Sequence, residues 1–338
     1  MRRLTGRVVV AALAVGGGYL AARLLAPSWS PPVRPAPTIG TATPTLPAVA
    51  PTGPIGEGNE VIRNALATLE VRPNVAAKVR QSIRYGSQQL SGTGAYWQQD
   101  VGNLRRTCWQ LQTIVAGQTA FYSQVYDGNH VWTDRQTPAA RTVARVDVER
   151  VRRELAMSRD GADRAAADEA AQLELLARGG LSQLVAELEQ SFTFGAPRSV
   201  PRGNGTALAL IGRWRPEELA RQWPSLSPES VADWPAHFPH HVLVHVGADR
   251  FPYVIEYRDS SQAGLAVSEA GYLPIDDPLA GYEFIDVQFT ALMPAHLFEF
   301  APAQLDWQDV TARTLDRLRP PTPPPIEETA ARRYGAWR

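Results

Sequence analysis

The chain has 338 residues, enough for one large β-rich domain or two small ones with a sizeable core. Its 34 basic and 34 acidic side chains cancel, which excludes the electrostatic footprint of a nucleic-acid binder and any strong bulk attraction to anionic lipid. Hydrophobic residues at 44% and charged residues at 20% describe an ordinary folded protein, and the lone cysteine, Cys108, excludes an intrachain disulfide.

Residues 8–26 are apolar except for Arg23, and Arg2, Arg3 and Arg7 precede them. A membrane-spanning helix needs about 20 apolar residues, so the segment is just long enough. Arg23 sits where it can snorkel to the headgroups, and the leading arginines favour the cytoplasmic side. The expectation is a membrane anchor over 1–26, with a cleaved signal segment as the alternative; Pro27 after Ala26 disfavours cleavage. No cysteine follows the segment, so a lipid-anchored cysteine is not expected there. Residues 27–56, rich in Pro, Ala and Thr, read as an extended linker. The proline-rich run from Pro320 starts a tail over 320–338, leaving 57–319 as the folded domain.

Within that domain, Val61, Ile62, Ala65, Leu66 and Leu69 form a helical stripe over 59–69. Ala77, Val79, Ile83 and Tyr85 then alternate with Lys78, Arg80, Ser82 and Arg84, the period of a half-buried strand. Further strands are predicted at 90–99, 104–116, 119–126 and 141–146. Asp127-Gly128-Asn129 reads as a hairpin turn opening the strand that starts at Val131 and Trp132. Gly92 and Gly94 mark curvature or close backbone approach.

A helical insertion is expected over about 148–190, interrupted at Gly179-Gly180. Strands resume at 206–214, a helix opens at Pro216, and a hairpin joins 241–247 to 252–258. A last strand over 282–291 is expected to align Ile285, Val287 and Phe289 on one face. Serial antiparallel strands with a helical segment make this an α+β chain of about nine to eleven strands, with helices on one face of a curved sheet.

Candidate chemistry is sparse. His237, His240, His241 and His245 cluster in sequence, but residues four apart on a strand stand about 13 Å apart, too far to share one metal ion. A polar strand face is the simpler reading, and no metal is expected. Asp276 and Asp277 are adjacent in a proline-flanked loop, where they point apart. No nucleophile elbow, phosphate loop, zinc-protease motif or dinucleotide fingerprint occurs. No catalytic residue and no cofactor are assigned; a hydrolase built on the region from His237 to His245 is the weakest alternative.

Gly92-Thr93-Gly94-Ala95-Tyr96, Trp109, Asp127-Gly128 followed by Trp132, and the late Leu297-Phe298-Glu299-Phe300 occur in an order that resembles the outer-membrane lipoprotein carrier (LolA-like) superfamily. Gly179-Gly180-Leu181, Phe192-Thr193-Phe194-Gly195, Gly212-Arg213-Trp214-Arg215-Pro216-Glu217 and the stretch from Phe251 to Tyr257 resemble an uncharacterised secreted subgroup. The resemblance spans roughly 60–305. It implies an open half-barrel with helices against its concave side, and binding rather than catalysis.

The expected partner is a lipid or lipoprotein acyl chain, or an envelope protein in a sensor or interaction domain, with the folded domain in the periplasm and residues 8–26 in the membrane. A tethered molecule departs from a diffusing carrier, as does the large helical insertion. The candidate groove residues are Trp97, Trp109, Leu111, Trp132, Tyr253, Ile255 and Phe289, large side chains on strands such a fold would curve, not all of which can face the same way. The helices at 148–156 and 163–190 are expected to cover that groove as a lid.

Overall fold

The computed structural model describes residues 57–318, except 86–87, 103, 116, 158–173, 204, 228–233, 236–237, 259–265, 269–270, 274–277, 291 and 303–305. The apolar segment 8–26, the linker 27–56, His237, the Asp276–Asp277 pair and the tail 320–338 lie outside the described residues.

The alternation read from the sequence becomes a meander. Strands β1 (Asn74–Tyr85), β2 (Gln88–Val101), β3 (Leu104–Val115), β4 (Gln118–Tyr126), β5 (His130–Gln136) and β6 (Arg141–Asp147) pair antiparallel in chain order. β1 buries Val75, Ala77, Val79 and Ile83 and leaves Lys78 and Arg80 exposed. At the β4–β5 turn, Gly128 takes φ 107°, and Asp127 Oδ1 accepts from the backbone N–H of Asn129 (2.8 Å) and His130 (2.7 Å). That self-bonded turn needs positive φ, which glycine supplies without a Cβ clash.

A second group contains β7 (Phe192–Phe194), β8 (Arg198–Arg202), β9 (Gly205–Trp214), β10 (His241–Gly247), β11 (Pro252–Arg258) and β14 (Ala280–Gln288). β12 (Ala266–Ser268) and β13 (Gly271–Leu273) form a separate small hairpin. β14 joins the two groups by pairing with β1, aligning Val79 with Phe284 and Gln81 with Tyr282. The result is a 13-stranded open sheet whose two ends do not meet.

One expectation about β14 is corrected by a bulge. The register slips by one residue between Ala76 and Lys78, and Asp286 sits at φ 54°. Tyr282 and Phe284 therefore face the core before the bulge, and Val287 and Phe289 pack against it afterwards, while Ile285 pairs with exposed Lys78 on the opposite face. An inserted residue inverts strand parity, so Ile285 does not align with Val287 and Phe289.

Helices cover one face of the sheet. α1 (Glu57–Val71), α2 (Val148–Met157), α3 (Gly180–Ser191) and α5 (Thr311–Leu318) contribute Ile62, Leu69, Val151, Leu155, Leu184, Leu188, Leu315 and Leu318 to a core shared with the inward side chains of β1–β4, β10, β11 and β14. α4 (Pro216–Gln222) lies against α3. Asn59 locks α1 to β7: its Nδ2 donates to Phe192 O (3.1 Å) and its Oδ1 accepts from Phe194 N (2.8 Å).

The opposite face carries a strap. Met293 and a 3₁₀ turn (Ala295–Phe298) bury Cys108, Val125 and Phe298, with Trp97, Leu297 and Phe300 packed alongside. The chain then adds β15 (Trp307–Asp309) parallel to the edge strand β6, and α5 returns to the helical face. Covering β6 protects a row of backbone groups that would otherwise remain a free edge; at the other end β7 and β8 do the same for β9.

Candidate ligand site between the sheet and its helices

Alternation dictates which side chains meet under the helices. In β3 the odd positions point inward, so Trp109 and Leu111 are buried together. Leu111 pairs with Tyr122 on β4, and Tyr122 pairs with Arg135 on β5, so these three form one row across the inner face. Trp109 is held edge-on by Tyr96 (5.9 Å between centroids) and Tyr282 (5.3 Å). Such contacts add about 0.5–1.5 kcal/mol each beyond burial.

The roof is placed by glycines. Gly179 and Gly180 take φ 76° and 74°, and the Gly180 N–H donates to Gln124 Oε1 (2.7 Å), so a strand side chain satisfies one of the free donors at the start of α3. A Cβ on Gly179 would lie 2.7 Å from the same oxygen. The break in the helical insertion read from Gly179-Gly180 is therefore a docking point.

This interior is mostly apolar, yet it holds polar atoms with no hydrogen-bond partner: Gln81 Nε2, Trp109 Nε1, Tyr122 Oη, Arg135 Nε and Nη1, and Ser182 Oγ. An unsatisfied buried donor costs about 1–3 kcal/mol, so a self-contained core rarely collects several. Some polar groups here are paired: Thr113 Oγ1 donates to Gln81 Oε1 (2.9 Å), and Gln183 Nε2 donates to Glu187 Oε1 (2.7 Å).

Arg135 is only 8% exposed, and its Cζ stands 5.8 Å from the centre of the Tyr122 ring. Among the described residues no carboxylate pairs with it. Asp134, next in sequence, points to the other face of β5 and is held by the Nε and Nη2 of Arg141. Burial lowers the Arg135 pKa, with Tyr122 opposing weakly.

Glu187 on α3 is also buried, and burial raises its pKa against Arg317 and Gln183. Arg317 is likewise pushed down by burial, with Glu187 opposing. Burial lifts the Tyr122 phenol to about 12, with Arg135 pulling it down and Glu187 pushing it up. Among the described residues, two arginines and one carboxylate meet this region, Arg317 being only half-buried.

The seven candidates chosen from sequence divide. Trp109, Leu111 and Ile255 lie together in the helix-covered interior. Tyr253 and Phe289 lie at its margin around Phe251, at 5.0 and 5.8 Å, with Arg202 over Tyr253 (4.4 Å) and Arg72 over Phe289 (3.6 Å). Trp97 and Trp132 belong to the opposite face. Trp97 packs under the strap, and Trp132 stacks on Phe300 at 5.2 Å and meets Trp307 at 5.4 Å. Gln81, Tyr122, Arg135 and Glu187 were missed. The predicted hairpin at Asp127-Gly128 would have found Arg135, because it shares a face with Val131 and Thr133.

Of the clustered histidines, the described ones, His240, His241 and His245, do not converge. His240 packs on Trp234 (4.8 Å), and His241 and His245 lie on the face of β10 opposite Val242, Val244 and Val246. That face is not simply polar: Leu243 is 2% exposed, and burial, reinforced by Arg202 and Arg258, lowers the His245 pKa to about 4. Among the described residues no cluster of three or more His, Cys, Asp or Glu can hold a metal ion. Burial pushes the Cys108 thiol up to about 12, so it is not an activated nucleophile.

No protein-family model matches the chain, and neither does any curated protein sequence. Among solved structures, the chain is similar to MucB at 11% identity and a TM-score of 0.35, covering 72% of this chain and 63% of MucB. A Vibrio parahaemolyticus domain named for outer-membrane lipoprotein sorting matches at 10% identity and a TM-score of 0.30, over 71% of this chain and 95% of that one. LprF from Mycobacterium bovis matches at 7% identity and a TM-score of 0.28, over 71% and 97%.

Proposed function

We propose that this chain is a non-enzymatic protein of the cell envelope that holds a hydrophobic ligand, a lipid or an acyl chain, between its open sheet and the helices that cover it. The observation that carries this reading is the interior itself: an apolar layer between the sheet and its helices, with buried polar atoms that have no hydrogen-bond partner among the described residues and that a finished core would have satisfied. Apolar burial is non-directional and needs no designed donor, so such a space suits a flexible hydrocarbon.

The four roof helices come from three parts of the chain: α1 from its start, α2 and α3 from the insertion, and α5 from the end. In this reading residues 8–26 tether the domain to the membrane and 27–56 hold it away from the surface.

The test uses full-length protein extracted from native membranes into amphipol. Native mass spectrometry is expected to show bound lipid, and the neutral dye N-phenylnaphthylamine is expected to bind with a fluorescence rise. Neither bound lipid nor dye binding, together with a stoichiometric protein partner, would transfer the fold to the interaction-domain reading.

A further inference from the structure

We propose that Arg135, with Tyr122 Oη beside it, receives the anionic head of the acyl-chain ligand; this rests on the hydrophobic-ligand reading above and adds its charge. Arg135 is more than nine-tenths buried, and two of its guanidinium nitrogens and the neighbouring phenol have no partner among the described residues. A guanidinium cannot shed its charge at any working pH. A water molecule would fill a hydrogen bond but would leave the charge uncompensated.

The nearest acid in sequence is turned away and already paired. The acid facing this interior from the roof, Glu187, lies between Gln183 and Arg317, the latter from α5. Among the described residues, the charge complement missing at Arg135 is therefore one anion.

Placement supports the same ligand geometry. Arg135 lies toward the end of β5 that leads into the β5–β6 turn, the end of the sheet shared with the β1–β2 and β3–β4 turns. The hydrocarbon-lined positions Leu111, Trp109, Leu184 and Leu188 lie in the same helix-covered core as Tyr122. An amphiphile with its head at Arg135 can lay its chain along this interior. A carboxylate and a phosphodiester share the required chemistry: oxygen acceptors, one negative charge and a hydrocarbon behind them.

The test is equilibrium binding of radiolabelled oleate, oleyl alcohol, dioleoylphosphatidylglycerol and dioleoylglycerol to the full-length protein in amphipol. Wild type, Arg135→Met, Arg135→Lys and Tyr122→Phe are compared. In wild type, at least one anionic ligand is expected to bind about ten- to a hundredfold more tightly than its neutral counterpart. Arg135→Met should abolish that preference and leave the neutral ligand within about twofold, while Arg135→Lys should keep most of it.

Tyr122→Phe keeps the ring, is independent of whether Arg135→Met folds, and should reduce the preference by about three- to tenfold. A preference in the oleate arm identifies a fatty-acid carboxylate; one in the phosphatidylglycerol arm identifies a phospholipid. Neutral ligands that bind as well as anionic ones, or a preference unchanged in the variants, overturn the role of Arg135 and leave the hydrophobic-ligand reading standing. Absence of binding by all four removes both.

Discussion

Arg105, half-buried, and Arg135, fully buried, lie on the same face of the same sheet, at opposite ends of it, and the fold treats them in opposite ways. Arg105 closes the C-terminal end of α1. Its Nε and Nη2 donate to Asp100 (2.8 and 2.9 Å), Nη1 donates to Glu70 Oε1 (2.8 Å), and Nη2 donates to Glu70 O (2.7 Å). Gln98 Nε2 completes the cap by donating to Leu69 O (3.0 Å) and Arg72 O (2.8 Å). Carbonyls that end a helix have no intrahelical donor, and a cation there also meets the negative end of the dipole.

Burial opposes the charge of Arg105, yet Asp100 and Glu70 raise its pKa on balance; at Arg135 burial wins. One arginine is an internal staple. The other has the composition of a receptor site, because no partner for it occurs among the described residues.

The largest test of this contrast is Arg105→Met. It leaves Asp100, Glu70 and the last carbonyls of α1 without their shared donor; removing one member of a fully buried ionic network costs about 3–5 kcal/mol, and this half-buried one should cost about 2–3 kcal/mol. Chemical denaturation should show a lower midpoint by that amount at unchanged slope. A loss comparable to that of an exposed ion pair would mean that water replaces Arg105 easily, and the distinction between the two sites would fail.

His245 is a half-buried base, and unlike an arginine it can give up its proton. Its folded pKa is lowered from 6.5 to about 4, burial first and Arg202 and Arg258 next. Between those values the unfolded chain binds more protons than the folded one, so stability rises with pH there. The contribution is complete above pH 6.5 and is lost as pH falls toward 4, a span of about 3 kcal/mol. The unfolding free energy of His245→Gln should vary less across this window than that of wild type. Equal slopes in the two proteins would show that His245 keeps its ordinary affinity for protons.

Much of this architecture was legible in the sequence, and the failures are local. The alternation in β1, the Asp127-Gly128 turn and the Gly179-Gly180 break each name an element by its period or its backbone demand. Three-residue strands such as β7 and β15 are shorter than any period can reveal. The bulge at Asp286 adds one residue that no pattern announces. The candidate site was half legible. Large apolar residues were sought in a groove, which located Trp109, Leu111 and Ile255; face assignment within β2 and β5 decided Trp97 and Trp132, because apolar residues occur on both faces there. Arg135 was passed over because an arginine in a strand ordinarily faces water.

Arg135→Met sharpens the contrast further because its sign is opposite to that of Arg105→Met. Removing a charge that has no partner relieves its desolvation, and the methionine chain fills similar space with an adaptable thioether. The ligand-free protein should gain about 1–2 kcal/mol, read as a higher denaturation midpoint after delipidation. With bound anion the order should reverse, since ligand binding stabilises only the protein that holds it. Loss of stability in the delipidated state would make Arg135 a structural residue like Arg105.

The smallest effect belongs to charges on the outer side of the same sheet. Lys78 pairs with Asp286 at 2.8 Å and Arg80 with Glu283 at 2.7 Å, both across the β1–β14 junction that joins the two halves of the fold. Their position suggests importance, but their surroundings decide otherwise. Each cation is more than half exposed, so truncation of either leaves its carboxylate in water, where hydration replaces the lost partner. The junction itself is held by the backbone ladder and by Val79 against Phe284 on the inner face. Lys78→Ala and Arg80→Ala should therefore leave the denaturation midpoint unchanged within error, at low and at moderate salt. A clear, salt-sensitive loss in the double variant would show that these pairs help to set the β1–β14 register.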